Sequence, residues 1–101
     1  MAAGVGVPWV SLGKYRDGSP RGWEARVGDL RITVHRHIDD AGGVFATCDT
    51  IGMSRHRIGD APITEDHKVL ALRAVRESIM QLDRLTSEWD LVVRTSRTDA
   101  P

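Results

Sequence analysis

The stretch WEARVGDLRITVHRHI, residues 23–38, decides the fold, because apolar and polar residues alternate on both sides of a Gly-Asp pair. Alternation with a period of two is typical of a strand with one buried face. Gly28-Asp29 is a two-residue loop that suits a tight hairpin turn, since glycine accepts positive φ. We therefore predict two antiparallel strands whose apolar side chains share one face; these are Trp23, Ala25, Val27, Leu30, Ile32, Val34 and Ile38.

The opposite face of this hairpin is polar and is the first candidate for a binding surface. Residues i and i+2 of a strand point the same way, so His35 and His37 share a face without a metal to hold them there. Two Arg and two His against one Glu would suit a phosphate backbone or an acidic protein, whereas a merely solvated face is common in antiparallel sheets. By parity the face consists of Glu24, Arg26, Arg31, Thr33, His35 and His37.

Two further strands are predicted after the hairpin. The segment DDAGG, residues 39–43, is rich in turn-forming residues. The segments VFATCD, residues 44–49, and IGMSRHRI, residues 51–58, are rich in β-branched and apolar residues and predict a third and a fourth strand. If the fourth strand pairs into the sheet, the RHR segment, Arg55, His56 and Arg57, extends the polar face.

A long helix is predicted to cover the apolar side of the sheet. Thr64 is suited to be its N-cap, and apolar residues then recur every three or four positions over about twenty residues. After Ser87, the segment WDLVVR at residues 89–94 fits either a last strand or a continuation of the helix. The core stripe is Val69, Leu72, Val75, Ile79 and Leu82, and a second set at its margin, Leu70, Met80 and Leu85, would either complete the core or form an association patch.

These elements define an α+β fold: an antiparallel three- to four-stranded β-meander packed on one long α-helix, with a possible extra C-terminal strand. Residues 1–22 are expected to form an N-terminal arm or a short first strand, residues 23–94 a single α+β domain and residues 95–101 a flexible tail. Trp9 lies in the arm and is the tryptophan best placed to contact a partner. Trp23 and Trp89 are expected to anchor the core from its rims.

The residues that could carry chemistry lie at no diagnostic spacing. His35 and His37 could supply two ligands to zinc or copper, but a catalytic metal needs a third ligand. Candidates for that ligand are His56, Asp49, Cys48 and Glu24. Cys48 with His35 or His37, and Ser54 with His56, could pair a nucleophile with a base, yet no loop signature supports either pair. We therefore predict a non-catalytic protein without a metal or another cofactor.

Composition limits the classes of partner. Fourteen basic residues balance fourteen acidic ones, which argues against a general electrostatic grip on nucleic acid or on an anionic membrane. One Phe and one Tyr leave no stacking platform of the kind that binds single-stranded RNA. The single cysteine excludes an intramolecular disulfide, and the sequence shows neither a signal peptide nor a membrane-spanning run, so we expect a cytoplasmic protein.

The order of motifs in the second half of the strand region resembles that of a known family. GGVFATCDTIG is followed by IGDAPITED and then by a helix from His67. This order is similar to that of HicB-type antitoxin domains, in which a small meander precedes a helix that begins with a Thr and acidic residues. The resemblance covers about half of the chain and implies an α+β module; it is an analogy of fold, since some DNA-binding modules of three strands and a helix share the same order. The chain departs from that family after Val93, where no DNA-binding segment follows.

Together these patterns favour a small binding module over an enzyme. We expect it to regulate or inhibit a larger protein partner through the open face of its sheet, as an antitoxin-like protein or a phage-type inhibitor would. A nucleic-acid-binding module that uses the Arg and His residues is the alternative, and a metal-dependent enzyme is the third hypothesis. An edge strand and a long helix both permit a twofold homodimer.

Overall fold

The computed structural model describes residues 6–97, in which a five-stranded antiparallel sheet packs on one long helix. The strands lie side by side in chain order, so each pairs with its neighbours in the sequence. The bounds are β1 Val10–Ser11, β2 Gly22–Val27, β3 Leu30–His37, β4 Asp40–Cys48, β5 Met53–Asp60 and α1 Asp66–Arg97, with a 3₁₀ turn at Asp49–Ile51. The predicted α+β meander on one helix is confirmed, and the sheet has one strand more than the three to four predicted.

The hairpin of β2 and β3 sets the register of the sheet. Gly28 adopts a positive φ of 61° at its turn, as a tight hairpin loop requires. Across the pair, Ala25 lies opposite Ile32, and both are buried. The additional strand is β1, which pairs with β2 at the edge of the sheet and lies in the segment predicted to be an arm or a short first strand. The alternation of residues 23–34 therefore becomes a sheet with one apolar and one polar face.

One face of the sheet and the first turns of α1 enclose the core. In β4 the alternation places Val44, Ala46 and Cys48 on the helix side, while Phe45 and Thr47 lie on the other side. The packed cluster contains residues from β3, β4, β5, the connection to the helix and α1 itself: Ile32, Val34, Val44, Ala46, Cys48, Met53, Ile63, Ala71 and Val75. This layer of small and β-branched side chains gives the strands their fixed facing, because a slip of one residue would expose all of them.

The helix begins with a reciprocal cap between Thr64 and His67. The backbone N–H of Thr64 donates to Nδ1 of His67 at 2.9 Å, and the backbone N–H of His67 donates to the carbonyl oxygen of Thr64 at 3.0 Å. Thr64 thus lies at the helix start predicted for it, but its hydroxyl is 3.3 Å from the same ring nitrogen rather than on a first-turn amide. The buried imidazole of His67 thus accepts from the backbone N–H of Thr64, a donor at the start of the helix that has no acceptor within the helix.

The C-terminal half of the helix departs from the prediction. Residues 89–94 continue α1, so the possible C-terminal strand does not form. No Gly or Pro interrupts the sequence between Asp66 and Arg97, and nothing ends the helical hydrogen-bond ladder. Residues 95–97, which were assigned to the tail, are helical, and residues 1–5 and 98–101 lie outside the described residues.

The sheet is too short to cover the whole apolar stripe of α1. Ala71 and Val75 are buried, whereas Ile79 and Leu82, both predicted to be core, are more than 40% exposed. Trp89 was expected to anchor the core and is 64% exposed instead. The apolar stripe follows the predicted periodicity, but the sheet covers it only as far as about the third turn of α1.

The loop between β3 and β4 is shorter than predicted. Strand β4 already begins at Asp40, which pairs with His37, so only residues 38 and 39 form the turn. A bulge between His35 and His37 changes the alternation at this end of β3. Ile38 therefore leaves the apolar face and is 93% exposed at the turn.

Candidate partner-binding face

The side of the sheet that faces away from α1 carries the polar side chains that strand alternation predicts to lie on one face. Strand pairing sets Glu24 opposite Thr33, Arg26 opposite Arg31, and His35 opposite Phe45. Arg57 follows on β5, opposite Phe45. We call this side the open face; its residues are Glu24, Arg26, Arg31, Thr33, His35, His37, Phe45, Thr47, Arg55 and Arg57.

His35 is held at the centre of the open face by hydrogen bonds at both ring nitrogens. Its Nδ1 lies 2.9 Å from the carbonyl oxygen of Arg36, which can only accept, so Nδ1 carries the proton. Its Nε2 then accepts from the hydroxyl of Thr47 at 2.7 Å. That hydroxyl oxygen accepts in turn from the backbone N–H of Arg55 at 3.1 Å. One continuous chain of hydrogen bonds therefore joins β3, β4 and β5.

His37 contacts the guanidinium group of Arg55. Nη1 of Arg55 lies 2.6 Å from Nε2 of His37, and because a guanidinium only donates, Nε2 is the acceptor. At the other ring nitrogen, the backbone N–H of Asp39 donates to Nδ1 at 3.1 Å, and Oδ2 of Asp39 lies 3.7 Å from the same nitrogen. Both ring nitrogens of His37 therefore face groups that only donate, and the ring is held between the guanidinium group of Arg55 and the backbone of Asp39.

Phe45 packs between the two imidazoles. Its ring centroid is 6.2 Å from that of His35 in a stacked arrangement and 6.3 Å from that of His37 in an edge arrangement. Both separations fall in the range in which aromatic pairs attract. Although Phe45 lies on the open face, its neighbours leave it buried. The centre of the open face is therefore an ordered cluster of rings.

Ion pairs neutralise much of the positive charge that the sequence assigns to this face. Arg31 pairs with Glu24, and Arg57 pairs with both Asp40 and Asp60. The hydrogen bond and charge of Asp60, together with the charge of Asp40, raise the pKa of Arg57 further above its usual value. Strand parity already places Glu24 on this face, but it does not assign Asp40 or Asp60 to Arg57, because Asp40 begins the neighbouring strand and Asp60 ends β5.

Arg55 reaches the open face through an unusual backbone conformation. Its φ of 48° is positive, which is uncommon for a residue other than glycine, and it lies where the register of β4 and β5 shifts. Within the RHR segment, His56 lies opposite the buried Ala46 and so belongs to the helix side of the sheet. The segment therefore contributes Arg55 and Arg57 to the open face, as predicted from pairing, but not the histidine between them.

Trp9 lies apart from the open face. It precedes β1 at the sheet edge and is half-buried, packed against the hydrophobic core cluster. Trp23 is also half-buried, and the ammonium group of Lys68 lies over its ring in a cation–π contact, with Nζ 4.4 Å from the ring centroid. Trp9 is thus packed at the edge of the sheet, away from the open face that carries the other predicted partner-binding residues.

The histidines and Cys48 form no catalytic arrangement in the part of the chain that the structure describes. Cys48 is fully buried on the helix side, whereas His35 and His37 lie on the open face, so the sheet separates them. Burial, more than the charge of Asp49, raises the pKa of the Cys48 thiol. No cluster of three potential metal ligands occurs among residues 6–97. Ser54 and His56, the other pair considered, share no hydrogen bond there.

A shallow cavity of about 760 Å³ borders the open face where the turn of residues 15–19 approaches the β3–β4 hairpin. The exposed Ile38 and the ring of His37 line it, together with Tyr15, Arg16, Asp17, Ser19, Arg36 and Ala41. Hydrogen bonds from the hydroxyl and backbone N–H of Ser19 lower the pKa of Asp17 in this turn. Strand alternation predicts that Ile38 lies in the core, so the sequence does not indicate a cavity lined by this residue.

Comparisons of the chain with protein-family models, with curated proteins and with solved structures found no match. The resemblance to HicB-type antitoxin domains therefore stays a prediction from the order of motifs. Among residues 6–97, no helix is both long enough and apolar enough to cross a membrane.

Proposed function

We propose that this protein is a small non-catalytic binding module that regulates or inhibits a larger protein partner through its open face. The observation that supports this most is the ordered centre of that face, where His35, Thr47 and Arg55 hold one another in place. A surface whose side chains are already fixed loses little conformational entropy on binding. Antitoxin-like proteins and phage-type inhibitors are the classes in view, with the cytoplasm as the compartment.

The charge of the open face favours a protein over a nucleic acid. Its four arginines face three carboxylates, of Glu24, Asp40 and Asp60, which leaves one net positive charge when the histidines are neutral. Paired arginines of this kind are typical of protein interfaces, in which Arg is enriched and charges of both signs meet. A phosphate backbone instead calls for several unpaired cations.

An apolar anchor lies beside the polar centre. Ile38 projects at the β3–β4 turn next to His37 and lines the neighbouring cavity. Interface hot spots are commonly large side chains surrounded by a polar rim that excludes water. We infer that Ile38 and the cluster around Phe45 form the centre of the contact, with Arg26 and Arg31 at its margin. A homodimer would present two such faces.

Charge reversal on the open face tests the proposal. The double variant Arg31→Glu with His35→Glu changes the formal charge of the open face by −3, counting His35 as neutral, with one substitution at its centre and one at its margin. We expect it to keep the far-UV circular dichroism of the wild type and to lose the partner that tagged wild-type protein captures from its native cell. If this variant captures the same partner in the same amount, the open face is only solvated.

A matched control separates a specific surface from a general effect of charge. Arg73→Glu with Gln81→Glu also changes the formal charge by −3, but both residues are exposed on the outer surface of α1. This control should keep the captured partner. Loss of the partner in both double variants would mean that net charge, and not the open face, determines binding.

Nucleic acid is the second candidate, because within residues 6–97 Arg26 has no carboxylate partner and the guanidinium group of Arg55 contacts the ring of His37 instead of a carboxylate. Binding through these arginines should weaken steeply with salt, by about 0.9 in log K per log unit of salt for each phosphate contacted. A titration with duplex DNA and with single-stranded RNA at low salt tests this. Absence of binding there removes the candidate.

A metal-dependent enzyme is the third candidate and has the least support. All four ring nitrogens of His35 and His37 already lie within hydrogen-bond distance of protein atoms. The metal content of the purified protein, before and after incubation with zinc, tests this candidate directly. Uptake that disappears in His35→Ala would support it, and a protein that takes up no metal ends it.

A further inference from the structure

The half of α1 that extends beyond the sheet carries an apolar face without a partner among residues 6–97. The helix has 32 residues, and Val75 is its last buried residue. Residues 79–97, which we call the free half, span about 27 Å at ~1.5 Å per residue. Eight large apolar side chains of the free half are exposed: Ile79, Met80, Leu82, Leu85, Trp89, Leu91, Val92 and Val93.

Five residues of the free half follow a heptad. The spacing of three and four that buries Val75 under the sheet continues without a break to Val93. The residues in this series, which we call the seam, are Ile79, Leu82, Thr86, Trp89 and Val93. Thr86 is the only polar member, and Leu85 and Val92 lie beside the seam and widen it. A seam of alternating three and four spacings is the pattern by which one helix packs along another.

The area of this face is that of an interface. Six large apolar side chains on and beside the seam are each 41–64% exposed, so at roughly 200 Å² for a fully exposed large side chain they present about 600 Å² per copy, against the ~800 Å² per partner of a standard protein interface. Monomeric proteins rarely leave an apolar patch of this size open to water. The seam also continues directly from the core stripe, so the same helix face serves the sheet in one half and is uncovered in the other.

We propose that a second copy of this chain covers the seam, with the two free halves packed antiparallel. This homodimer goes beyond the proposed function, because it uses the helix and leaves the open face of the sheet accessible. Antiparallel packing places Leu82 against the partner's Val93 and Thr86 against the partner's Trp89. The layers that result lie entirely within the free halves.

The position of the sheet selects this orientation. Each sheet lies on the seam side of its own helix, over the turns that contain Ala71 and Val75. In a parallel pair both sheets would lie at the same end and would compete for the space between the two helices. In an antiparallel pair each sheet lies beyond the end of the partner's helix, so neither obstructs the seam.

An apolar cleft is available where the partner's helix would end. It has a volume of about 250 Å³ and lies at the point where α1 leaves the sheet. Its lining comes from the β2–β3 hairpin and from α1: Val27, Leu30, Ile32, Leu72, Val75, Arg76, Ile79 and Met80. Because the cleft is continuous with the seam, the last turn of the partner's helix would cover it.

Oligomeric state tests the proposal with a matched pair of variants. Sedimentation equilibrium of the wild type should give twice the chain mass at micromolar concentrations. Leu82→Lys with Trp89→Lys, both on the seam, should raise the dimer Kd by about 100-fold or more. Gln81→Lys with Leu91→Lys makes the same change in formal charge at exposed positions that lie off the seam and outside the cleft, and should leave the Kd within about threefold.

Two outcomes would overturn the dimer. If the wild-type protein stays monomeric at about 100 μM, it does not self-associate with useful affinity. The seam would then be covered by a different protein or by a lipid surface. Equal loss of dimer in both variants would place the contact off the seam. The measurement on the wild type decides the point even if the seam variant does not fold.

Orientation is tested by distance and by charge. Nitroxide labels on Arg73→Cys should be roughly 45 Å apart in the antiparallel pair and roughly 20 Å apart in a parallel one. The antiparallel pair also brings Asp83 beside the partner's Asp90, so Asp83→Lys should tighten the dimer about five- to tenfold. A short label distance, or no effect of Asp83→Lys, overturns the antiparallel arrangement.

Discussion

The imidazole of His67 lies directly over the backbone of Gly59, so closely that a Cβ at position 59 would be 2.7 Å from Nε2. This contact joins the end of β5 to the first turn of α1. His67 is held from its other side by the backbone N–H of Thr64. The relationship therefore couples the last strand of the sheet to the cap of the helix.

Gly59→Ala should destabilise the protein because the ring cannot move aside without losing its cap hydrogen bond. Overpacking of this kind costs about 1–3 kcal/mol. Urea unfolding followed by circular dichroism measures the cost. In a His67→Ala background the same change should cost far less, since the atom that it meets is gone. An equal cost in both backgrounds would contradict the steric explanation.

Thr47→Val should weaken the open face by breaking the hydrogen-bond chain at its middle. Valine keeps the shape of threonine but leaves Nε2 of His35 and the backbone N–H of Arg55 without their partner. We expect a loss of about 1 kcal/mol in the free energy of unfolding, which lowers Tm by about 4–8 °C in a domain of this size.

Thr33→Val is the control for this variant. Thr33 lies directly opposite Thr47 on the open face, but within residues 6–97 its hydroxyl makes no side-chain hydrogen bond. It should unfold within about 0.5 kcal/mol of the wild type. If the two valine variants unfold alike, the chain through His35 contributes nothing measurable.

Strand alternation predicts the two faces of the sheet well, because the period of two is a local property. Ile32 and Val34 face the helix and His35 faces away, as the sequence indicates. The prediction fails at Ile38, since the bulge that follows His35 is not encoded in the alternation. Likewise, Asp40 meets Arg57 only through the pairing of β4 with β5, which no local pattern specifies, whereas Asp60 lies three residues further along β5 itself.

Helical periodicity predicts where the apolar stripe runs but not what covers it. Val75 and Leu82 belong to the same stripe, yet the sheet reaches only the first of them. The segment at residues 89–94 is short and apolar enough to fit both a strand and a helix, and the uninterrupted helix before it decides the outcome. A strand there would have needed an exposed edge of the sheet and a loop to reach it.

The buried thiol of Cys48 should make the protein less stable at alkaline pH. Burial raises the pKa of its thiol above the value of 9.0 for an unperturbed cysteine. The unfolded chain therefore releases this proton first as the pH rises. The contribution of the buried thiol is complete below about pH 9 and is lost progressively as the pH rises toward the folded-state pKa.

Urea midpoints measured between pH 7 and about pH 10 test this dependence. The wild type should lose more stability than Cys48→Ala over the upper part of that range, because alanine has no proton to release. The thiol should also react with an aromatic disulfide reagent only as fast as the protein unfolds. Rapid reaction of the folded protein would contradict the burial of Cys48.

Gly22→Ala should be the most damaging of the single substitutions considered. Gly22 has a φ of 147°, and a Cβ there would lie 2.0 Å from the carbonyl oxygen of Val34, which is backbone and cannot rotate away. The strand pair β2–β3 would have to separate at this point, at a cost of about 3 kcal/mol or more.

Gly18→Ala separates the steric contact from the backbone conformation, because Gly18 also has a positive φ, of 87°, but open space around its Cβ position. It should cost about 1 kcal/mol by urea unfolding, and a cost equal to that of Gly22→Ala would show that backbone conformation, not the contact with Val34, requires glycine at position 22.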